Sequence, residues 1–201
     1  MSYKTFKPQD HYFHKAKQSW LVARSAFKLE ELDNKFLLFG RGVRSVLDIW
    51  CSPWSWIQYA HSKMNKHKSF KIVWVDLKPV KIELDHVYTY VQDASDMIGM
   101  DKIISDHGII KFDIIMSDLA PNTIWFKDID AIRSIEILEK IMPIYQKYLK
   151  PDGKFAIKIF MWPWFDEFVA NCKKIWWWIH IKVFKPKASR DISKETYIVK
   201  V

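Results

Sequence analysis

The sequence predicts an α/β protein with a mostly parallel sheet covered by helices on both faces. Three observations point there. Seven short apolar runs alternate with stretches of helical periodicity, the pattern of strands joined by crossover helices. The segment from Val46 to Trp56, VLDIWCSPWSW, reads as a buried strand, a tight turn and the start of a helix, which is how an open α/β sheet builds a ligand crevice. Acidic residues stand near the carboxyl ends of successive strand runs, at Asp48, Asp76, Asp93 and Asp118.

The elements follow in order. Residues 1–22 form a basic arm with Lys4, Lys7, His11, His14, Lys15 and Lys17, partly helical, and residues 23–201 form one domain. Ala26, Phe27, Leu29, Leu32 and Phe36 recur at helical spacing. Strand runs are expected at 45–49, 71–75, 87–91, 112–117, 154–160, 180–184 and 196–201, with helices near 55–65, 96–106, 130–149 and 164–174. Pro143 should kink or divide the 130–149 helix, since proline lacks the N–H that a helix interior uses. Only a loop, Lys185 to Lys194, separates the last two runs, so they form an antiparallel pair at a sheet edge.

Composition narrows the class of function. The formal net charge is +9 over 201 residues, which favours an anionic partner, nucleic acid first. No apolar run has the length of a membrane span and no secretory signal pattern opens the chain. Cys51 and Cys172 have no metal-site spacing. A cytoplasmic monomer without metal or membrane is the expectation.

Tryptophan usage is anomalous. The chain has 11 Trp and 5 Gly, where average usage gives roughly 14 glycines. Trp50 and Trp54 occupy a turn that calls for positive φ and close backbone approach. Trp74 interrupts the strand run Lys71–Val75, Trp125 lies in a loop, Trp162 and Trp164 flank Pro163 at a strand-to-helix turn, and Trp176–Trp178 stand where a helix should stop. A tryptophan-rich core is one reading. The preferred one is a decoding difference: some bacterial lineages read UGA as glycine, and another translation table reads it as tryptophan.

The strand-end acids suggest a ligand. A carboxylate after the second strand, Asp76, can accept two hydrogen bonds from a ribose diol, and one after the third, Asp93, suits the exocyclic amine of adenine. Together they fit an adenosine cofactor.

The segments ARSAFKLEELDNKF, VLDIWCSPWSWIQYA, VDLKPV, SDLAPN, FAIKIF, WFDEF and FKPKASRDISKETYIV together resemble the FtsJ family of S-adenosylmethionine-dependent ribose 2′-O-methyltransferases, closest to the bacterial type acting on large-subunit ribosomal RNA. The resemblance runs from about residue 20 to the end. It implies a Rossmann-like methyltransferase fold with a seven-stranded sheet and an antiparallel edge strand. It implies glycine at the positions of Trp20, Trp50, Trp54, Trp74, Trp162 and Trp164, and a genuine tryptophan at Trp56.

The same resemblance places a catalytic Lys-Asp-Lys-Glu set on Lys28, Asp118, Lys158 and Glu195, and S-adenosyl-L-methionine on Trp54, Trp56, Asp76, Asp93 and Asp118. The chemistry is coherent, because a ribose 2′-hydroxyl is a poor nucleophile that needs deprotonation and alignment with the methyl donor. Lys158 is the candidate base or hydroxyl-orienting group; Asp118 orients the lysine and substrate, and Glu195 holds Lys28 or the ribose. Arg24, Arg44, Lys127, Arg133 and the loop 185–190 are candidates for phosphate contacts near the reaction site, with Tyr12 and Phe13 available to stack on bases. The implied partner is ribosomal RNA, within a large-subunit particle. The alternatives are a methyltransferase of the tRNA anticodon loop, and a catalytically impaired RNA-binding or ribosome-assembly module if the tryptophans at glycine positions are real.

Overall fold

A computed structural model describes residues 11–50, 53–119, 127–161, 165–175, 180–190 and 193–201, with backbone alone at 127, 128, 130, 131 and 175. The elements are α1 (His11–Gln18), α2 (Ala26–Phe36), β1 (Ser45–Ile49), α3 (Ser55–Met64), β2 (Lys71–Asp76), β3 (Val87–Val91), α4 (Met97–Asp106), β4 (Phe112–Ser117), α5 (Lys127–Tyr148), β5 (Leu149–Phe160), α6 (Phe165–Ile175), β6 (Ile181–Phe184) and β7 (Glu195–Lys200).

The seven strands form one sheet in the order β3-β2-β1-β4-β5-β7-β6. All neighbours are parallel except β7, which runs antiparallel to both β5 and β6. Strand order reverses between β1 and β4, so the sheet's topological switch point lies there.

The period of two along each strand sorts side chains into two cores. Leu47, Ile49, Val73 and Val75 face the layer built by α4, α5 and α6. Val46, Ile72 and Trp74 face α2 and α3, with Trp56, Ile57 and Ala60. Strands buried on both faces read as continuous apolar runs, which is why β1, β2 and β4 were recognisable. The arm does not stand apart: Ala16 of α1 packs on Phe27 and Ala188.

One expectation is narrowed and one corrected. Of the two outcomes expected at Pro143, division does not occur: the proline lies inside α5, which is one helix of 22 residues. An interior proline costs ~3 kcal/mol, and the burial of Ile141, Met142, Ile144 and Tyr145 around it outweighs that at about 1.5–3 kcal/mol per large side chain. Strand β5 begins at Leu149 rather than at 154, passing through Pro151-Asp152-Gly153, where the register with β4 shifts. Gly153 fits that irregularity: a Cβ there would lie 3.0 Å from the Lys150 carbonyl oxygen and 3.1 Å from that of Asp113. Cys51, Trp125, Trp162, Trp164 and Trp176–Trp178 lie outside the described residues.

Candidate active site

The carboxyl end of β1 leads into the turn before α3, beside the switch point. Trp50 has φ 55° and Trp54 has φ 52°, both in the left-handed region. The Trp50 N–H donates to the Val75 carbonyl at 2.8 Å, and Trp54 precedes α3 without a side-chain cap. The first N–H groups of α3 have no acceptor within their own helix and so provide donors at the crevice. The indoles of Trp50 and Trp54 pack against the two different cores, one on each face of the sheet.

Asp76 ends β2, is buried, and accepts the Lys78 N–H at 3.0 Å. Asp93 follows β3, is exposed, and accepts from the Ser95 N–H at 2.9 Å and hydroxyl at 2.8 Å. Asp48 is not at the strand end: it lies within β1 opposite Trp74 and Met116 and is fully buried. Trp56 is 1% exposed, and its indole N–H donates to the Ser25 carbonyl at 2.9 Å while its ring lies 5.8 Å from that of Tyr197. That indole joins α3 to α2 and β7, leaving its backbone N–H in the first turn of α3 as what it can offer a ligand.

Four ionisable groups converge: the buried Lys28, Lys158 and Glu195 from α2, β5 and β7, and the partly buried Asp118 just after β4. Lys28 on α2 meets Glu195 at the start of β7, at 2.8 Å to Oε1 and 2.9 Å to Oε2. Lys158 on β5 donates to the Asp118 carbonyl at 2.6 Å and lies 3.1 Å from its Oδ1. The Tyr197 hydroxyl donates to the same Oδ1 at 2.6 Å. Burial alone would raise the Asp118 carboxyl, but the charges of Lys158 and Lys28 and the Tyr197 hydroxyl outweigh it and hold Asp118 below the usual carboxylate range. An ammonium has three N–H donors; each lysine spends two on these partners and keeps one for an incoming hydroxyl.

Tyr197 escaped the sequence reading. Residues 195 and 197 share one face of β7 by the period of two, and Lys158 stands directly opposite Tyr197 in the β5–β7 register. Placing Glu195 at the site was therefore signal enough to find it.

The loop 185–190 is latched beside this cluster. The Glu31 carboxylate accepts the N–H groups of Lys187 at 2.6 Å and Ala188 at 2.8 Å, and Arg24 donates to the Ala188 carbonyl. Lys185 and Lys187 remain exposed on its outer side, as does Arg133 on α5. The Lys127 side chain lies outside the described residues. Arg44 is a correction: it precedes β1 and so sits at the amino end of the sheet, roughly 20 Å of strand from the turn at Trp50. The Tyr12 ring is partly exposed and packs 5.7 Å from Phe27 with Arg24 above it.

Comparison with known proteins identifies the family. The FtsJ-like methyltransferase family matches residues 21–201. A ribosomal RNA large subunit methyltransferase E from Bdellovibrio bacteriovorus is 41% identical over 97% of both chains. One from Pelagibacter ubique is 38% identical over 95% of this chain and 90% of its own. A solved structure described as a ribosomal RNA methyltransferase from Plasmodium falciparum superposes with TM-score 0.73 at 27% identity, covering 89% of this chain and 96% of the other. With a family match across nearly the whole domain, this chain belongs to the FtsJ-like methyltransferases.

Proposed function

We propose that this protein transfers a methyl group from S-adenosyl-L-methionine to a ribose 2′-oxygen of RNA, with a uridine of large-subunit ribosomal RNA as acceptor. The observation that carries the reading is the convergence of Lys28–Glu195 and Lys158–Asp118–Tyr197 at the carboxyl edge of the sheet in a chain of this family.

The donor set fits the cofactor. Asp76 is a buried carboxylate at the end of β2 that would suit a ribose diol, and Asp93, two residues after β3, is exposed and would suit an adenine amine. The N-terminus of α3 suits a carboxylate group. When bound, the cofactor supplies an electrophilic sulfonium methyl. The chain's own residues prepare the nucleophile. Lys158 directs its remaining N–H to the 2′-oxygen and orients it for attack, the hydroxyl proton leaving to water as the new C–O bond forms. Asp118 fixes that lysine through two contacts, and Tyr197 fixes Asp118. Lys28, locked by Glu195, supplies a second cation for the acceptor nucleotide. Such positioning is the main requirement of the reaction. The working state is a cytoplasmic monomer acting on a large-subunit particle.

A second reading, an RNA-binding module without turnover, is favoured by Trp50 and Trp54, whose indoles leave a turn that should approach the cofactor closely. The test is to offer undermethylated large-subunit ribosomal RNA, large-subunit particles and tRNA with labelled cofactor, and to map 2′-O-methyl groups. Labelling of a uridine in the large-subunit RNA supports the proposal. Labelling confined to the tRNA anticodon loop, or RNA binding with no transfer, refutes it.

A further inference from the structure

An open depression of about 980 Å³ lies at the opposite end of the sheet from the proposed active site. It is bounded by the starts of β1, β2, β4 and β5, and lined by Arg44, Lys66, Lys68, Lys71, Lys111 and Lys150. The Asp113 carboxylate lies beside them. That group accepts from the backbone of Arg44 and Ser45 at 2.9 Å and pairs with Lys150 at 2.5 Å. Lys150 is thereby neutralised. Lys71 donates to the His107 carbonyl, and Arg44 donates to the carbonyls of Arg41 and Val43; both keep their full charge.

Lys66 and Lys68 are exposed, Lys111 is half-buried, and among the described residues none of the three has a hydrogen-bond or ion-pair partner for its ammonium. A wide, open trough with this surplus of charge and no carboxylate among the described residues that line it suits a polyanion rather than an enclosed small molecule. We propose that this basic trough binds the phosphate backbone of the substrate RNA at a second point, away from the reacting nucleotide. The inference rests on the RNA-methylation reading above. It makes the preferred acceptor a folded RNA that spans both ends of the sheet, roughly 20 Å of strand apart, rather than a short oligonucleotide.

The test compares two triple variants of equal charge change. One is Lys66→Glu/Lys68→Glu/Lys111→Glu in the trough. The other is Lys102→Glu/Lys140→Glu/Lys173→Glu, at three lysines exposed elsewhere. Filter binding to large-subunit ribosomal RNA is measured against salt, and methyl transfer is measured on that RNA and on a short fragment carrying the target. The trough variant should lose on the order of tenfold or more in affinity, and its log–log salt slope should be shallower by about 2–3, because each phosphate contact contributes about 0.7–0.9. Its transfer to the short fragment should stay near that of the parent, which also shows that it is folded. Equal losses in the two variants, or none in either, overturn the proposal. A parent that binds RNA but transfers no methyl group overturns the function while leaving the binding comparison intact.

Three tryptophans hold backbone torsions that belong to glycine: Trp20 at φ 56°, Trp50 at 55° and Trp54 at 52°. They are three of the five non-glycine residues at positive φ among the described residues. Side chains rarely adopt this region, and a bulky one least of all. No packing compensates at Trp20, which is 90% exposed. At Trp50 the indole N–H is buried and has no hydrogen-bond partner among the described residues. Trp56, by contrast, is absent from the positive-φ set and donates to Ser25. We infer that positions 20, 50 and 54 are glycine in the protein its source cell makes, their codons being UGA read as glycine. Trp74 is not part of this inference, because its backbone lies in β2. Peptide mass spectrometry of the protein from its own cells, with the gene's codons, decides it. UGA codons and peptides lighter by one Trp-to-Gly difference per site support it; UGG codons or tryptophan-containing peptides overturn it.

Discussion

Replacing Tyr197 with phenylalanine removes one hydroxyl and leaves the ring that packs against Trp56. The hydroxyl donates at 2.6 Å to Oδ1 of Asp118, the oxygen that also faces Lys158 at 3.1 Å. A hydrogen bond to a charged group contributes about 1.5–3 kcal/mol. If the whole of it is needed to hold Lys158 in the transition state, the rate of methyl transfer falls roughly 10- to 150-fold. The pH dependence separates positioning from simple loss of structure. Tyr197 is one of the groups that hold the Asp118 carboxyl low, so Tyr197→Phe lets that carboxyl move up. The acid limb of the rate then shifts to higher pH, because Asp118 must stay ionised to hold Lys158. Single-turnover methyl transfer measured across pH, with thermal unfolding alongside, is the assay. A rate within twofold of the parent, with an unmoved acid limb, would refute the role given to Tyr197.

Glu195→Ala strands a buried Lys28 and should destabilise the fold by about 3–5 kcal/mol, a fall of roughly 6–20 °C in Tm; Glu195→Gln should lose less, and equal melting of Glu195→Ala and parent would contradict the buried pair. Asp113 is pushed up by burial but pulled down further by Lys150 and the Arg44 and Ser45 donors, so it contributes stability above its unfolded pKa of about 3.9, and that stability is lost as pH falls through the lower folded value. Asp113→Asn should therefore destabilise at neutral pH and flatten the acid end of the unfolding curve, whereas parallel curves would show that Asp113 carries no such linkage. In protein made with tryptophan at position 20, Trp20→Gly relieves a left-handed strain of about 1–2 kcal/mol against an entropic cost of about 0.5–1 kcal/mol. It should raise Tm by a few degrees, and Trp20→Ala, which keeps a Cβ at that torsion, should not; equal gains would refute the torsional argument.

The sheet was legible in the sequence because its strands are buried on both faces and read as apolar runs such as Val46–Ile49 and Lys71–Val75. The positions of the candidate-site acids were legible where chemistry and strand ends coincide: Asp76, Asp93 and Asp118 all lie at or just after strand ends. Pro143 does not divide α5 because a local rule is outweighed by the burial of its neighbours there. Arg44 misled because charge says nothing about which end of a strand it occupies. Asp48 looked like a strand-end acid because its strand continues only one residue further. Trp56 carries its aromatic character into the core, so its side chain serves α2 and β7. The turn tryptophans were flagged by residue type, and the torsions at Trp20, Trp50 and Trp54 give that flag a physical basis.

The account turns on Lys158 acting in the chemical step of ribose methylation. The decisive measurement is the nucleoside composition of undermethylated large-subunit ribosomal RNA after reaction with saturating S-adenosyl-L-methionine, for protein with glycine at 20, 50 and 54 and for its Lys158→Ala variant, with cofactor affinity measured for both. The account predicts 2′-O-methyluridine from the first, essentially none from the second, and dissociation constants within a few-fold of each other. A base-methylated nucleoside from the first protein, or near-normal 2′-O-methyluridine from the Lys158→Ala variant, would contradict it.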